Sequence, residues 1–398
     1  MSTKMNPSLT PRPWGYFIIG GLCAVLIFVL GAVSTWVYVH SLTDSTSPTP
    51  LAEQERSLYD EAWAIVETDF IGNLPDTTIR TYGAIRGSVD TIDDPYTYFV
   101  EPEPAVREQE NLQGHFGGIG AYLVLGEDGR IHLDPMVDRP ADIAGVERDD
   151  ILLAVDGSIL PVPADLEDAT DRVRGPVDSI VRLTVLRGAE QLDFEITRKQ
   201  IELPSVEWRQ IDEAPGSGYI RIERFSALTA KELEQALEDL RTIGAADKLI
   251  LDLRGNPGGL LDAAVDVSSV FLDGGPILIE RRSDGSEETY SASPGGAAIA
   301  PPLVLLVDGG TASASEIVAG AMQDRGRAIL VGSTTYGKGS VQRIHRLSDE
   351  SALHVTFARW FTPNGQVIDR QGLSPTISIP DDAEGEDPAL QQALKQLQ

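Results

Sequence analysis

The stretch from Leu303 to Gln342 admits few folds. It opens on Leu303-Val304-Leu305-Leu306-Val307, an unbroken apolar run that reads as a buried strand. A sharp turn of small residues follows, and a helix then opens at Ser313. A second apolar run, Ala328-Ile329-Leu330-Val331, leads to Lys338, which stands between Gly337 and Gly339. Upstream, Gly218–Phe225 is strand-like and Lys248–Leu253 is another buried strand by its apolar run. Between them Leu233, Ala236, Leu237, Leu240 and Ile243 share one helical face. Thr229-x-x-Glu232 reads as the capping box of that helix and Gly244 as its stop. Strands and helices alternating in this way build stacked β-α units.

At 398 residues the chain is too long for one core, so two globular domains plus attachments are expected. A hydrophobic share of 42% suffices for packed cores. The net charge of -29 repels phosphate backbones and excludes nucleic acid as a natural partner. It also repels anionic lipid, so membrane attachment requires an inserted segment. Cys23 is the single cysteine, which excludes an intramolecular disulfide and a cysteine zinc site. His40, His115, His132, His345 and His354 show no ligand spacing, so no metal or cofactor is expected.

Residues Trp14 to Val39 carry no charge and exceed the roughly 20 apolar residues that span a bilayer. Lys4 and Arg12 precede the run and Asp44 follows it, which places the N-terminus in the cytoplasm and the rest outside. A cleaved signal peptide would have an apolar region of about 7–15 residues and an A-x-A-like site, and this run fits neither. Residues 1–13 are therefore read as a cytoplasmic N-terminus, 14–39 as a single-pass anchor in the cell membrane and 40–56 as a Ser/Thr/Pro-rich linker. Residues 57–112 follow as a helical region, with apolar spacing at Leu58, Ala62, Ile65 and Val66 and again at Ile79, Tyr82, Ile85 and Val89. Asp93-Asp94-Pro95 ends the second helix.

Residues 113–200 have another texture. Strand-like runs occupy Ala121–Leu125, Ile131–Leu133, Ile151–Val155, Ile180–Leu186 and Leu192–Ile196, and Leu166, Ala169 and Val173 mark a short helix. Pro140-Ala141, Ala144-Gly145-Val146 and Asp150-Ile151-Leu152-Leu153-Ala154-Val155-Asp156-Gly157 resemble a PDZ domain of the bacterial protease type. Such domains bind extended C-termini by adding a strand to their sheet. The resemblance makes Gly118, Ile119 and Gly120 the loop that holds a terminal carboxylate on backbone N–H groups. Asp149 stands where the family has glycine, so the turn there is expected to differ.

Ser313-Ala314-Ser315-Glu316 fits a capping box, and a helix cap is a sufficient reading of Ser313 taken alone. A serine at a strand-to-helix turn is also well placed as a nucleophile, with free N–H groups at the helix start to hold an oxyanion. Lys338 reads either as a loop lysine or as the base such a serine needs. Gly332-Ser333-Thr334-Thr335-Tyr336-Gly337-Lys338 matches the start of a Walker A loop. However, Gly339 replaces its Ser/Thr and Ser340–Ile344 alternates like a strand, which disfavours nucleotide binding. Asn256-Pro257-Gly258-Gly259 alone makes a turn.

Together, Leu251–Gly259, Thr311–Ile317 and Tyr336–Gln342 resemble the carboxyl-terminal processing peptidases, also called tail-specific proteases. Phe361-Thr362-Pro363-Asn364-Gly365 and Gly372-Leu373-Ser374-Pro375 match later blocks of the same family. The resemblance implies a mixed α/β fold: a ClpP/crotonase-like catalytic domain of stacked β-α units over 201–380, with the PDZ domain inserted and an acidic tail and short helix over 381–398. It implies a serine endopeptidase with Ser313 as nucleophile, Lys338 as base and Gln342 orienting the amine. The oxyanion donors would be the backbone of Ala314 and of Gly258 or Gly259. Arg174 is a candidate link between the two domains. The implied partners are protein or peptide substrates with accessible C-termini, and a second copy of the chain in a homodimer. The reading from another class is a non-catalytic envelope scaffold that binds C-termini through the PDZ domain alone.

Overall fold

The structure is a computed structural model that describes residues 50–381, 383 and 385–398, with side chains from residue 58 onward. The 14–39 anchor, Cys23 and most of the linker lie outside those residues. Among the described residues no helix is long and apolar enough to cross a membrane. The chain divides into two compact units, 1–80 and 81–398. In the first, α1 (Pro50–Asp69) begins inside the stretch read as linker. Arg80 there pairs with Glu67 at 3.0 Å and lies 5.0 Å from the Trp63 ring. Helix α2 spans Thr77–Asp90.

The second unit begins its regular structure with β1 (Tyr98–Val100) and α3 (Pro102–Gln113). A small module follows: β2 (His115–Gly118), β3 (Ala121–Leu125), β4 (Ile131–Pro135), α4 (Pro140–Ile143), β5 (Asp150–Val155), β6 (Ser158–Ile159), α5 (Leu166–Val173), β7 (Ile180–Arg187), β8 (Glu190–Thr197) and β9 (Lys199–Glu202). All five expected strands are present, in an antiparallel sheet ordered β3-β4-β5-β7-β8 with β6 on β5. Ile131, Leu133, Val181, Leu183 and Val185 are each at most 1% exposed and form its core by their period-2 alternation. Strands β2 and β9 pair antiparallel and close the two ends of the module.

The turn at Asp149 keeps the left-handed conformation a glycine would take, with φ 68. Aspartate tolerates that region better than most residues, so the substitution changes the cost of the turn and not its shape. Asp149→Gly is expected to stabilise the module by about 0.5 kcal/mol, the relieved strain being partly offset by glycine's unfolded-state entropy. A raised denaturation midpoint by circular dichroism checks it. The neighbouring Asp150 is 1% exposed. Burial alone would raise its pKa, but two bonds of 2.7 Å from Arg187 hold its carboxyl below the usual range.

The rest of the chain forms two sheets. The larger is ordered β10 (Val206–Gln210), β11 (Ser217–Ile222), β12 (Lys248–Asp252), β15 (Leu303–Val307), β16 (Ala328–Gly332) and β19 (Ile377–Ser378). It is parallel except for the β10 edge. Helices α6 (Thr229–Thr242), α7 (Leu261–Phe271) and α8 (Ala314–Asp324) share one core with Leu249, Leu251, Leu303 and Leu305. Ile250, Val304, Leu306 and Val331 face the opposite core with Ala389 and Ala393 of α9 (Pro388–Gln396). Both faces are thus covered, which is why these strands read as continuous apolar runs.

The expected β-α alternation omits a second sheet. Strands β13 (Pro276–Arg282) and β14 (Glu287–Ser291) form a hairpin. Strands β17 (Ser340–Arg346) and β18 (Ala352–Phe361) form another, and β1 pairs with β18. The capping box at Thr229 is also not made. Thr229 is the first residue of α6, and Glu232 Oε2 instead accepts from the N–H and hydroxyl of Ser205 at 2.7 and 2.6 Å. The incoming strand takes the carboxylate that a free helix end would have used.

Candidate active site

Two strand-end turns build the site. After β12 the chain passes through Arg254–Gly259, and after β15 through Asp308–Ala312. Thr311 Oγ1 donates to Leu253 O at 2.9 Å and Gly255 N–H donates to Asp308 Oδ1 at 2.8 Å, so the turns are sewn together. Asn256, fully buried, reaches the Ile222 carbonyl through Nδ2 at 2.8 Å. Its own carbonyl accepts from Ala312 N–H and from Ser315 Oγ, both at 3.0 Å. Ser315, also fully buried, is therefore a structural pin.

Ser313 sits half-buried at the start of α8 with φ 54 and ψ -116. A helix cap ordinarily has extended backbone. Positive φ in a serine costs of order 1–3 kcal/mol and persists where the surroundings over-determine it. Glu316, fully buried, supplies much of that determination. Its Oε2 accepts from Ser313 N–H at 2.9 Å and from Lys338 N–H at 2.9 Å. Its Oε1 accepts from Gly337 N–H at 2.8 Å and from the Thr335 hydroxyl. One carboxylate thus fixes the serine turn and the lysine loop to each other.

The lysine loop is held from the other side as well. Trp360 Nε1 donates to Lys338 O at 3.0 Å, and Tyr336 N–H donates to Thr311 O at 3.0 Å. A Cβ on Gly339 would lie 2.5 Å from Asp369 N, so only glycine lets these backbones pass. Lys338 Nζ lies 5.2 Å from the centroid of the Tyr96 ring. Burial pushes the Lys338 ammonium below its ordinary pKa, while the charges of Glu108 and Glu316 pull the other way. Tyr96 is itself pushed up to about 12, by burial first and then by Tyr336, Asp369 and Glu316.

Gly258 and Gly259 now separate. A Cβ on Gly258 would meet Ser313 Cβ at 2.9 Å and Ala314 N at 3.0 Å, so Gly258 abuts the serine turn. Its N–H, however, donates to Asn256 Oδ1 at 2.9 Å. A Cβ on Gly259 would fall 2.1 Å from Phe225 O.

A cleft of about 630 Å³ runs past Ser313, Ala314, Lys338, Gln342 and both glycines, so all six of these sequence-derived residues share one cavity. The Gln342 side chain donates to Ser340 Oγ at 2.9 Å. Gly118, Ile119 and Gly120 lie apart, at the end of β2 in the small module. Arg174 lies there too, its guanidinium 4.1 Å from the Phe116 ring of β2. Sequence reasoning missed Tyr96, Glu108, His354 and Trp360, which converge on the cleft or its lysine from three separate stretches. Glu316 it saw only as a capping residue. Chemically, the cleft joins a half-buried hydroxyl, an amine whose charge is disfavoured and backbone N–H groups at a helix start.

The sequence profile of peptidase family S41 matches residues 216–379. A carboxyl-terminal-processing protease of Synechocystis sp. is 37% identical over 319 residues, which cover 79% of this chain and 74% of that protein. The carboxy-terminal-processing protease of Bartonella bacilliformis is 34% identical over 364 residues, covering 89% and 82%. Among solved structures, the photosystem II D1 C-terminal processing protease is 32% identical with a TM-score of 0.48, covering 84% of this chain and 90% of that one.

Proposed function

This chain belongs to the carboxyl-terminal processing proteases of peptidase family S41, and from that premise we propose that Ser313 is its nucleophile and Lys338 its general base. As a serine protease of this family it acts on protein substrates. The observation that carries the residue assignment is the shared Glu316 carboxylate, bonded to the N–H of both Ser313 and Lys338.

In the proposed cycle neutral Lys338 takes the Ser313 hydroxyl proton as Oγ attacks the scissile carbonyl. Ala314 N–H at the head of α8 and Gly259 N–H hold the oxyanion, since the Gly258 N–H is engaged with Asn256. The lysine returns the proton to the leaving amine, and water hydrolyses the acyl-enzyme by the same route in reverse. To serve at neutral pH the lysine must give up its proton well below the ordinary lysine range. The downward push from burial favours this. Gln342 supports the lysine strand through Ser340 and lines the approach to the amine.

The module from β2 to β9 acts as a PDZ domain. Substrate C-termini add a strand to β3, the edge of its sheet, and place the terminal carboxylate at Gly118–Gly120. The 14–39 segment anchors the enzyme in the cell membrane with the catalytic part outside the cytoplasm, and exposed apolar residues such as Ile65 and Phe70 fit a dimer contact.

Lys338→Arg is expected to be inactive, because guanidinium cannot act as a neutral base. In the wild type kcat/KM should rise with pH as Lys338 loses its proton and then level off, at a midpoint below the ordinary lysine value. The deciding experiment incubates the soluble part with peptides that differ only at their C-termini and locates the cuts by mass spectrometry. Cleavage indifferent to the C-terminus would refute the PDZ assignment, and cleavage by Lys338→Arg would refute the dyad.

A further inference from the structure

Asp93-Asp94-Pro95, read from the sequence as the end of a helix, also opens a turn that reaches Lys338. In Asp94-Pro95-Tyr96-Thr97 the Thr97 N–H donates to Asp94 O at 3.1 Å, with proline at the second position. The Asp94 carboxylate closes the turn, accepting from Tyr96 N–H at 3.3 Å and from the Thr97 hydroxyl at 2.7 Å. Thr97 is 7% exposed, and its Oγ1 accepts in turn from Thr356 N–H at 3.1 Å. Thr356 lies on β18 opposite Gln342 of β17. The turn is therefore pinned to the strand that borders the proposed lysine partner. It holds the half-buried Tyr96 with its ring centroid 5.2 Å from Lys338 Nζ.

A lysine base has two opposed needs. It must be neutral at rest, and it becomes an ammonium as the serine attacks. A carboxylate against the amine would serve the second need and defeat the first. An aromatic ring serves both, because its bulk excludes water and its π-face attracts a cation without carrying a charge. Building on the dyad reading, we propose that Tyr96 is a positioning residue that covers Lys338, keeping water off the neutral amine and offering its face to the ammonium formed during attack. Desolvation moves a buried lysine down by up to several pH units, whereas an aromatic face returns on the order of one. The cover therefore outweighs the face at rest, in line with burial as the largest influence on Lys338. The Tyr96 phenol is hydrogen-bonded to Tyr336 and pushed up to about 12, so it stays protonated and takes no part in the transfer. The other groups at the amine are Glu316 of α8 and Glu108 of α3, with Tyr336 and Asp369 behind the ring. Asp94 and Arg359 lie at the base of the turn. All of these are unchanged in the Tyr96 variants below.

The test is the pH profile of kcat/KM for a cleavable peptide, with the full chain and a thermal melt of each variant. Tyr96→Ala admits water to the amine. Its acid limb should move up by about one pH unit, a loss of roughly tenfold on the acid side. Tyr96→Leu keeps an apolar cover but has no π-face. Its limb should stay at or below the wild-type position, while its plateau at high pH falls by about three- to fivefold. Tyr96→Phe keeps both properties and should follow the wild type within about twofold at every pH. A limb that stays or falls in a Tyr96→Ala protein that melts like the wild type overturns the cover. A wild-type plateau in Tyr96→Leu overturns the face. A Tyr96→Phe profile like that of Tyr96→Ala places the role in the hydroxyl and overturns both. Should Tyr96→Ala fail to fold, the Leu and Phe variants still decide, because equal plateaus in the two reject the ring. Lys338→Arg separates this proposal from the dyad. If it is inactive while the Tyr96 variants match the wild type, the dyad stands and the role of Tyr96 falls. If it still cleaves, the dyad itself is wrong.

Discussion

Ser313→Ala is expected to leave a folded protein that cuts nothing. Removal of the nucleophile in serine hydrolases costs on the order of 10⁴–10⁶ in kcat. The loss should not be rescued by Ser315, which is fully buried with its Oγ given to the Asn256 carbonyl at 3.0 Å. Stability should change by about 1 kcal/mol, the scale of a lost helix cap, because the strained backbone at Ser313 is still held through its N–H by Glu316. Peptide cleavage followed by mass spectrometry, beside a thermal melt, reads both quantities. Residual cleavage within 100-fold of the wild type would move the nucleophile elsewhere.

Glu316→Ala should cost nearly as much activity and far more stability. It strips the acceptor from four donors at once: the N–H groups of Ser313, Gly337 and Lys338 and the hydroxyl of Thr335. Buried donors left without partners cost about 1–3 kcal/mol each, and relaxation recovers part of it, so a loss of roughly 4 kcal/mol is expected. Glu316→Gln keeps the shape and turns one acceptor oxygen into a donor, so it should retain more stability than activity. Denaturant melts and single-turnover cleavage of the two variants separate the scaffold role from the alignment role. Wild-type cleavage by Glu316→Gln would mean the serine and lysine loops keep their register without it.

The parallel sheet was legible because strands covered on both faces leave unbroken apolar runs, as at Leu303–Val307. The small module was legible by its period-2 strands. The second sheet escaped that reading. The β13–β14 hairpin carried a usable signal at Asp284-Gly285, the turn between its two strands. Strand β1 carried none, because three residues paired with His354, Leu353 and Ala352 are specified by the partner strand. Ser313, Lys338 and the glycine pair stood in ordered motifs. Tyr96, Glu108 and His354 did not, since their partners are far away in sequence and no local spacing records them. Thr229 shows the opposite failure: a local cap signal was present, but Ser205 arrived to claim Glu232.

The pairing of β1 with β18 limits how the protein can be divided. The family signature occupies 216–379, yet one strand of the second sheet and the aromatic ring beside Lys338 come from residues 96–100. A fragment trimmed to the signature would have an exposed β18 edge and an uncovered lysine. The small module is a loop in the catalytic body, entered after β1 and left before β10, and not a bead on a string. Exchanging it for another recognition module therefore means joining two seams at once, at α3 and after β9. Severing the chain between β1 and β10 leaves two pieces that must find each other before either is an enzyme.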